Sequence, residues 1–199
     1  MKLLLHACCG PCAIYPLETV LNAGHDVTLI YLNPNIQPRS EWQRRLENAE
    51  RVADLYKVPL LIDPLYLEDE YMRRQFDGDR CLYCYDTRLG LVSRRAAAGG
   101  FEAFSTTLLV SPYQNRDAIV GRGRQLAGAS LHFLDDDWRP GYRQGQEAAK
   151  ALGLYRQQYC GCLPSLELSR YKDKIKARHL AEATPDRAAP PAPDNTLHK

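Results

Sequence analysis

The sequence predicts an α/β fold, a Rossmann-like three-layer arrangement in which helices cover both faces of a parallel sheet, with extra helices. Short apolar runs of strand length alternate along the chain with longer segments of helical periodicity. Such alternation is typical of βαβ units, in which crossover helices join parallel strands. With 199 residues, 45% of them hydrophobic, the chain is long enough to bury one substantial core.

Each element is predicted from an apolar pattern bounded by turn residues. The strands are expected at 2–6, 27–32, 58–62, 101–107 and 131–134. Pro11 suits the start of a helix that stops before Gly24, SEWQ at 40–43 matches a capping box, and Ser111-Pro112 suit a later helix start. The predicted helices are 11–23, 40–57, 67–77, 82–98, 111–127, 144–152 and 166–180.

These elements form one expected α/β domain over residues 1–182. The segment 183–199, which contains Pro185, Pro190, Pro191 and Pro193, is expected to be a disordered tail. No run approaches the ~18 apolar residues of a membrane span, so no membrane partner is expected. The first apolar run is too short for an export signal, which needs roughly 7–15 residues, so a cytoplasmic location is expected.

A net charge of +2 does not by itself indicate a nucleic-acid-binding protein. The basic residues are nevertheless concentrated in two stretches, which are most often solvated helix faces and which could also meet phosphates. The first stretch contains Arg73, Arg74, Arg80, Arg88, Arg94 and Arg95, and the second contains Arg170, Lys172, Lys174, Lys176 and Arg178.

All seven cysteines fall into three clusters: Cys8, Cys9 and Cys12; Cys81 and Cys84; Cys160 and Cys162. In a cytosolic protein, clustered cysteines favour metal binding or redox chemistry over structural cross-linking. The first cluster directly follows the first strand, at the sheet edge where cofactors of parallel sheets bind. It also leads into a helix N-terminus, which favours the thiolate form needed for metal ligation.

Cys81 and Cys84 are spaced so that both thiols can bind one metal or one cluster. Together with Cys8 and Cys9 they make a four-thiolate set, which suits zinc or an iron–sulfur cluster. Adjacent cysteines rarely both serve one compact zinc site, so the pair favours a cluster. Cys12 has no evident structural task.

Cys160 and Cys162 flank Gly161, whose backbone freedom permits a tight disulfide ring. Such a ring is expected to be strained and reducible, so a redox pair is favoured over two more metal ligands.

In the acidic segment 135–137, Asp137 is the preferred carboxylate for an additional iron, although an ordinary acidic turn is the simpler interpretation. His6 is interpreted as a hydrogen-bonded strand-end residue rather than a ligand.

Taken together, these segments resemble the cobalamin-independent epoxyqueuosine reductases, the QueH family. The resemblance runs from residue 3 to residue 162 and rests on LLHACCGPC (4–12), NPNI (33–36) followed by Arg44 or Arg45, RCLYCY (80–85) with Arg88, TT (106–107) with SP (111–112), DWR (137–139) with GY (141–142), and YRQQYCGC (155–162). Gly10 departs from the family pattern, which more often has alanine, and we expect little consequence from this change.

The resemblance implies a fold similar to the ATP-pyrophosphatase-type, adenine nucleotide alpha hydrolase-like domains. It implies a [4Fe-4S] cluster bound by Cys8, Cys9, Cys81 and Cys84, and a redox-active Cys160–Cys162 disulfide. The implied reaction is the last step of tRNA queuosine biosynthesis. In that step, epoxyqueuosine at the wobble position of the anticodon loses its epoxide oxygen, and an unidentified donor supplies the electrons.

Further roles are hypotheses that this resemblance suggests. A mononuclear iron near Cys12 and Asp137 could polarise the C–O bond of the epoxide. Aromatic side chains near the site could stack on anticodon bases, and the candidates are Tyr113, Trp138, Tyr142, Tyr155 and Tyr159. The alternatives are a zinc-stabilised tRNA-binding or tRNA-thiolating protein of the same fold, and a thiol–disulfide oxidoreductase acting on protein partners.

Overall fold

A computed structural model describes residues 1–74 and 79–182, and it confirms the predicted α/β class. Five parallel strands form one sheet in the order β3-β2-β1-β4-β5. The strands are β1 (Lys2–His6), β2 (Asp26–Tyr31), β3 (Leu60–Ile62), β4 (Ala103–Thr106) and β5 (His132–Phe133). All five predicted strands are therefore present, and four of them are shorter than predicted or shifted at an end.

Eight α-helices are present over the described ranges. They are α1 (Gly10–Asn22), α2 (Arg39–Tyr56), α3 (Glu68–Arg74), α4 (Arg80–Ala98), α5 (Arg116–Ala127), α6 (Tyr142–Ala151), α7 (Leu163–Glu167) and α8 (Lys172–Glu182). Helices α1, α2 and α6 pack together, whereas α4 and α5 pack together against the other side. This division follows from right-handed crossovers that run in one direction from β1 to β3 and in the opposite direction from β3 through β4 to β5.

Strand β1 forms the centre of the hydrophobic core. Leu3, Leu4 and Leu5 have no exposed surface, and β1 pairs with β2 on one side and β4 on the other. Because helices cover both sheet faces, consecutive residues of β1 are apolar rather than alternating. Burial of each leucine side chain contributes about 1.5–3 kcal/mol.

The strand order reverses beside β1, and this reversal positions the site. The connections leaving β1 and β4 diverge to opposite faces, so a crevice opens at the carboxyl ends of these neighbouring strands. The backbone N–H of Cys8, after β1, donates to Oγ1 of Thr107, after β4, at 3.0 Å. The first cysteine cluster therefore lies at the topological switch point, as predicted.

The predicted capping box at residues 40–43 is wrong. Helix α2 begins one residue earlier, after Pro38, whose carbonyl accepts the N–H groups of Glu41 and Trp42. Ser40 is consequently inside the first turn, and its hydroxyl contacts Nδ1 of His179 at 3.2 Å instead. A contact across the fold has replaced the local cap.

The predicted start of α5 at Ser111-Pro112 is also wrong. Residues Thr107–Val110 form a 3₁₀ turn after β4, and Oγ of Ser111 accepts the N–H of Tyr113 in the following loop. The helix begins later because Asn115 provides the cap, accepting the N–H of Ala118 at 3.1 Å.

The single helix predicted at 166–180 is two helices, α7 and α8. Ser169 interrupts the pattern, because its hydroxyl donates to the carbonyl of Gln158 and accepts the N–H of Tyr171. The end of the helix predicted at 67–77 and the predicted tail at 183–199 fall outside the described residues. Within the described ranges, no helix is long and apolar enough to cross a membrane.

Candidate functional site

The first cysteine cluster forms a compact group of thiols. The sulfur atoms of Cys8, Cys9 and Cys12 all lie within 4.8 Å of one another, and all three residues are buried. Cys9 has an extended backbone and caps α1, so the chain turns sharply between the strand and the helix. Within residues 1–74 and 79–182, these residues form the one group of three or more potential ligands this close together.

Hydrogen bonding within this group distributes its protons unequally. Hydrogen bonds from Cys12 and Cys9 hold the pKa of the Cys8 thiol well below its usual range. The bond to Cys8 raises the pKa of Cys12, and burial raises the pKa of Cys9. The hydroxyl of Thr107 also donates to the Cys8 sulfur at 3.3 Å. The group thus favours one thiolate, so metal binding would release protons from the others.

Gln157 contacts this thiol group from a distant part of the sequence. Its side-chain amide Nε2 donates to the sulfur of Cys9 at 2.9 Å and to that of Cys12 at 3.5 Å. Sequence reasoning did not identify Gln157 as a site residue, although its position three residues before Cys160 within YRQQYCGC was an available signal.

The other four cysteines come together in a second place. Cys81 and Cys84 lie on the first and second turns of α4, and Asp79 caps the helix. They line a narrow cavity together with Cys160 and Cys162. Burial raises the pKa of Cys84 to about 11. In this structure the predicted ligand pairs therefore belong to two neighbouring groups, and Cys81 and Cys84 lie beside the predicted redox pair.

Cys160 and Cys162 are free thiols on a loop that α2 holds in place. Buried Arg45 donates to the carbonyl of Cys160 at 2.9 Å and to that of Tyr159 at 3.0 Å. Gln37 donates its backbone N–H to the carbonyl of Gly161 at 2.7 Å. Gly161 has a φ of 130°, a backbone conformation that favours glycine. The chain thus uses the backbone freedom that was predicted for this residue.

Buried Glu41 fixes Arg45 in turn. Its Oε1 accepts Nε of Arg45 at 2.8 Å, while its Oε2 accepts the Tyr155 hydroxyl at 2.9 Å. Arg44 and Arg178 also approach Oε2, at 3.3 and 3.5 Å. Tyr155 lies between these two guanidinium groups, so it is committed to this network and does not present a free ring to a base.

A large cavity of about 810 Å³ extends from the thiols to the surface. Cys8, Cys12 and Cys160 all line it. Three residues line both this cavity and the narrow one: Arg88, Gln114 and Cys160. They form a shared wall between the two cavities and therefore between the two cysteine groups. The structure thus brings the three clusters into one region.

Arg88 carries a buried positive charge in this shared wall. It is 2% exposed, and its Nε donates to Oδ1 of Asn35 at 2.7 Å. No carboxylate ion pair to Arg88 is present among the described residues. Burial alone would lower the pKa of Arg88, but its electrostatic interactions with Cys84, Cys160 and Cys8 raise it. Nδ2 of Asn35 is buried without a hydrogen-bond partner and belongs to the lining of the narrow cavity.

These features provide a test of whether the residues fit a metal centre. A buried cation is costly unless an anion compensates it. A thiolate-ligated iron–sulfur cluster is anionic and sulfur-rich, and its sulfurs accept hydrogen bonds. The buried thiols, the unpaired guanidinium and the free amide N–H group of Asn35 therefore fit such a cluster. Arg88 was expected on a solvated face, and this expectation is wrong because the side chain points inward.

Two other predicted residues have different surroundings. Asp137 is held by Arg139, whose guanidinium donates to both carboxylate oxygens at 2.8 and 2.6 Å. Asp137 does not line either cavity, so the structure does not bring it to Cys12. Trp138 is 2% exposed within the core, so its predicted stacking on a base is wrong.

His6 has the structural role that was expected. It is fully buried, with Nδ1 2.8 Å from Oγ1 of Thr106 and Nε2 3.0 Å from the carbonyl of Leu32. Burial lowers its pKa to about 4. The neutral ring ties the ends of β1, β2 and β4 together below the cysteine cluster.

The expectation that Gly10 would have little consequence is wrong for this packing. A Cβ at Gly10 would lie 2.4 Å from the carbonyl oxygen of Asn48 on α2. Helix α2 therefore approaches α1 closely beside the thiol group, and an alanine would push the two helices apart.

Comparison with known proteins places most of the chain in one family. The family model described as epoxyqueuosine reductase QueH matches residues 3–168. The epoxyqueuosine reductase QueH of Dehalococcoides mccartyi is 38% identical over 168 residues, which cover 82% of this chain and 92% of that protein. The protein of the same name from Acinetobacter baylyi is 34% identical over 192 residues, which cover 88% of each chain.

A relative from Thermotoga maritima, also named epoxyqueuosine reductase QueH, is 33% identical and covers 85% of this chain and 92% of its own length. Among solved structures, a predicted subunit of tRNA methyltransferase from Methanocaldococcus jannaschii matches with a TM-score of 0.50 and 13% identity. The match covers 75% of this chain and 74% of that one. At this identity the likeness bears on the fold alone.

Proposed function

The chain belongs to the epoxyqueuosine reductase QueH family, and we propose that it catalyses the reaction for which its relatives are named. The substrate is tRNA carrying epoxyqueuosine at the wobble position. The epoxide oxygen leaves as water, two electrons and two protons are consumed, and an alkene remains in the cyclopentane ring. The observation that carries this proposal is the buried group of Cys8, Cys9 and Cys12 at one end of a large cavity.

A [4Fe-4S] cluster is the proposed cofactor, and Cys8, Cys9, Cys81 and Cys84 are its proposed ligands. When bound, the cluster would relay electrons and supply a Lewis-acidic iron without any need for cobalamin. Buried Arg88 offsets the negative charge of the thiolates, which favours their ionised, metal-binding form. Its place between the two cysteine groups supports a centre that draws ligands from both.

Cys160 and Cys162 are the proposed source of the two electrons. When a dithiol closes to a disulfide it releases two electrons and two protons, which equals what removal of one epoxide oxygen as water consumes. Cys160 lines the large cavity and the narrow cavity, so it is close to both cysteine groups. An electron donor that reopens the disulfide completes the cycle. Free thiols suit a reducing compartment, so the cytoplasm is the proposed location.

The protein's other residues position these thiols. Gln157 orients the sulfurs of Cys9 and Cys12, and Arg45 fixes the backbone of the redox pair. An additional iron bound by Cys12 remains a separate proposal. For that iron, Asp137 would have to exchange its bonds to Arg139 for the metal.

Anaerobic purification followed by iron, sulfide and zinc analysis tests the cofactor. We expect a brown protein with about four irons and four sulfides per chain. Cys8→Ser and Cys81→Ser should lose the visible absorption, whereas Cys160→Ser should keep it and lose turnover. A colourless protein with one zinc would instead support the alternative, a zinc-stabilised tRNA-binding or tRNA-thiolating protein of the same fold.

A further inference from the structure

We infer that the large cavity accepts one nucleotide extruded from an RNA chain, with its base against Tyr113 and its flanking phosphates on Arg156 and Arg170. This inference rests on the proposed function, because it takes the RNA substrate as given and assigns the residues that bind it. Tyr113 and Tyr142 were among the aromatic candidates from the sequence, whereas Arg156 was not singled out.

The chemistry of the cavity lining selects the ligand class. The lining contains four arginines, four tyrosines and four glutamines, and no aspartate or glutamate among the described residues that form it. Arginines attract phosphate groups, tyrosine rings stack on bases, and glutamine amides bond to base edges. An anionic, aromatic and hydrogen-bonding ligand such as a nucleotide matches all three groups.

Tyr113 presents an unusually accessible aromatic surface. It is 81% exposed, whereas aromatic residues such as Tyr85, Phe104 and Tyr159 are buried. Tyr142 supports it edge-on, with ring centroids 6.0 Å apart and ring planes at 85°. Because Tyr113 remains 81% exposed with this contact in place, stacking surface on its ring is available to a base. Such stacking contributes about 1–3 kcal/mol per base.

Arg156 and Arg170 are exposed arginines without a carboxylate partner among the residues that the structure describes. Some other arginines of the surface are paired with carboxylates: Arg122 contacts Asp86 at 2.6 Å, for example. Arg170 packs its guanidinium over the ring of Tyr171 at 4.7 Å, which orders the charge without neutralising it. These two positive charges on the cavity wall are therefore free to meet phosphates.

The size of the cavity indicates a single extruded nucleotide rather than a duplex. A volume of about 810 Å³ lies within the range of roughly 300–1,000 Å³ that is typical of small-molecule sites. A helical stem cannot enter it, and the buried thiols of Cys8 and Cys12 line the cavity below the surface. A base must therefore leave its stack to reach them, which costs least in a single-stranded loop.

Binding of an anticodon stem-loop RNA that lacks epoxyqueuosine to the metal-loaded protein tests the inference without turnover. The RNA carries a fluorescent purine analogue at the wobble position, and affinity is measured by titration at several salt concentrations. Tyr113→Ala should weaken binding about 5- to 150-fold, which corresponds to the loss of one stacked base. Tyr113→Phe retains the ring and should stay within about twofold of the unaltered protein.

Arg156→Gln and Arg170→Gln should each weaken binding and reduce the slope of log Kd against log salt by roughly 0.7. Arg122→Gln, which alters a paired arginine outside the cavity, should change neither quantity. Unchanged affinity in Tyr113→Ala, or unchanged salt slopes in both arginine variants, would overturn the inference. Free guanosine monophosphate that binds as tightly as the RNA would also overturn it, in favour of a mononucleotide site.

The nucleotide site and the proposed function can be refuted separately. If the unaltered protein reduces epoxyqueuosine in tRNA while the Tyr113 and arginine variants bind RNA normally, the nucleotide site is refuted and the proposed function stands. If the unaltered protein binds neither RNA nor epoxyqueuosine-containing tRNA, the proposed function itself is refuted.

Discussion

Replacement of Arg45 by methionine should destabilise the protein, because Arg45 joins α2 to the loop of the predicted redox pair. Its guanidinium is 2% exposed and makes one ion pair to Glu41 and two bonds to backbone carbonyls. Methionine fills similar volume but makes none of these bonds. Breaking a buried ion pair by removing one partner costs about 3–5 kcal/mol.

The lower end of this range applies to Arg45→Met. Glu41 would keep the Tyr155 hydroxyl and the nearby guanidinium groups of Arg44 and Arg178 at its other oxygen. We therefore expect a loss of about 3 kcal/mol in the free energy of unfolding. For a chain of this length, this loss corresponds to a fall in Tm of roughly 6–12 °C.

Arg51→Met is the matched control, since exposed Arg51 also donates to two loop carbonyls, those of Leu152 and Gly153. Urea unfolding should show a loss within about 0.5 kcal/mol for this surface change. The Cys160 thiol should also react faster with iodoacetamide in Arg45→Met than in the control. Equal stability losses and equal alkylation rates in the two variants would refute the assignment of Arg45 as a clamp.

Other residues give shorter tests. Gly10→Ala should lower the free energy of unfolding by about 1–3 kcal/mol because the added methyl group clashes with Asn48. Gly121→Ala, which adds a methyl group in open space on α5, should raise it by up to about 1 kcal/mol. Equal changes in the two variants would contradict the close packing at Gly10. Burial lowers the pKa of His179, so the unfolded chain binds a proton at this histidine more readily than the folded protein does, and the stability should fall as the pH drops below about 6.5. Thermal melts of His179→Gln should show a weaker dependence of Tm on pH. An unchanged pH dependence would contradict this assignment. Gln157→Leu removes the amide that donates hydrogen bonds to the sulfurs of Cys9 and Cys12. The midpoint potential of the reconstituted iron–sulfur centre should therefore become more negative, with the iron content retained. An unchanged potential would show that Gln157 does not hydrogen-bond to the centre.

The central strands and the place of the first cysteine cluster were predictable from the sequence. β1 is a continuous apolar run in a sheet covered on both faces, which is a local signal. Parallel strands bring their carboxyl ends to one edge, so the position of Cys8 directly after the first strand was enough to place it at the switch point. The resemblance to a known family then indicated the function from motifs that local physics alone could not interpret.

The helix starts and the second cysteine group were less predictable, because contacts between distant residues decide them. Ser40 matched a cap in sequence, but α8 brought His179 to its hydroxyl. The inward orientation of Arg88 and the contact of Gln157 with the thiols likewise depend on tertiary packing. Both residues belong to motifs of the family resemblance, but no periodic or local signal in the sequence shows that their side chains face the thiols.

Mass analysis of nucleosides tests the central claim most directly. The iron-loaded protein is incubated anaerobically with reductant and tRNA containing epoxyqueuosine. The tRNA is then digested to nucleosides, and their masses are measured by mass spectrometry. The account predicts a product lighter by one oxygen atom, formed by the unaltered protein and not by Cys8→Ser. Epoxyqueuosine that stays unchanged, although the protein holds its full iron and sulfide and binds the tRNA, would contradict the account.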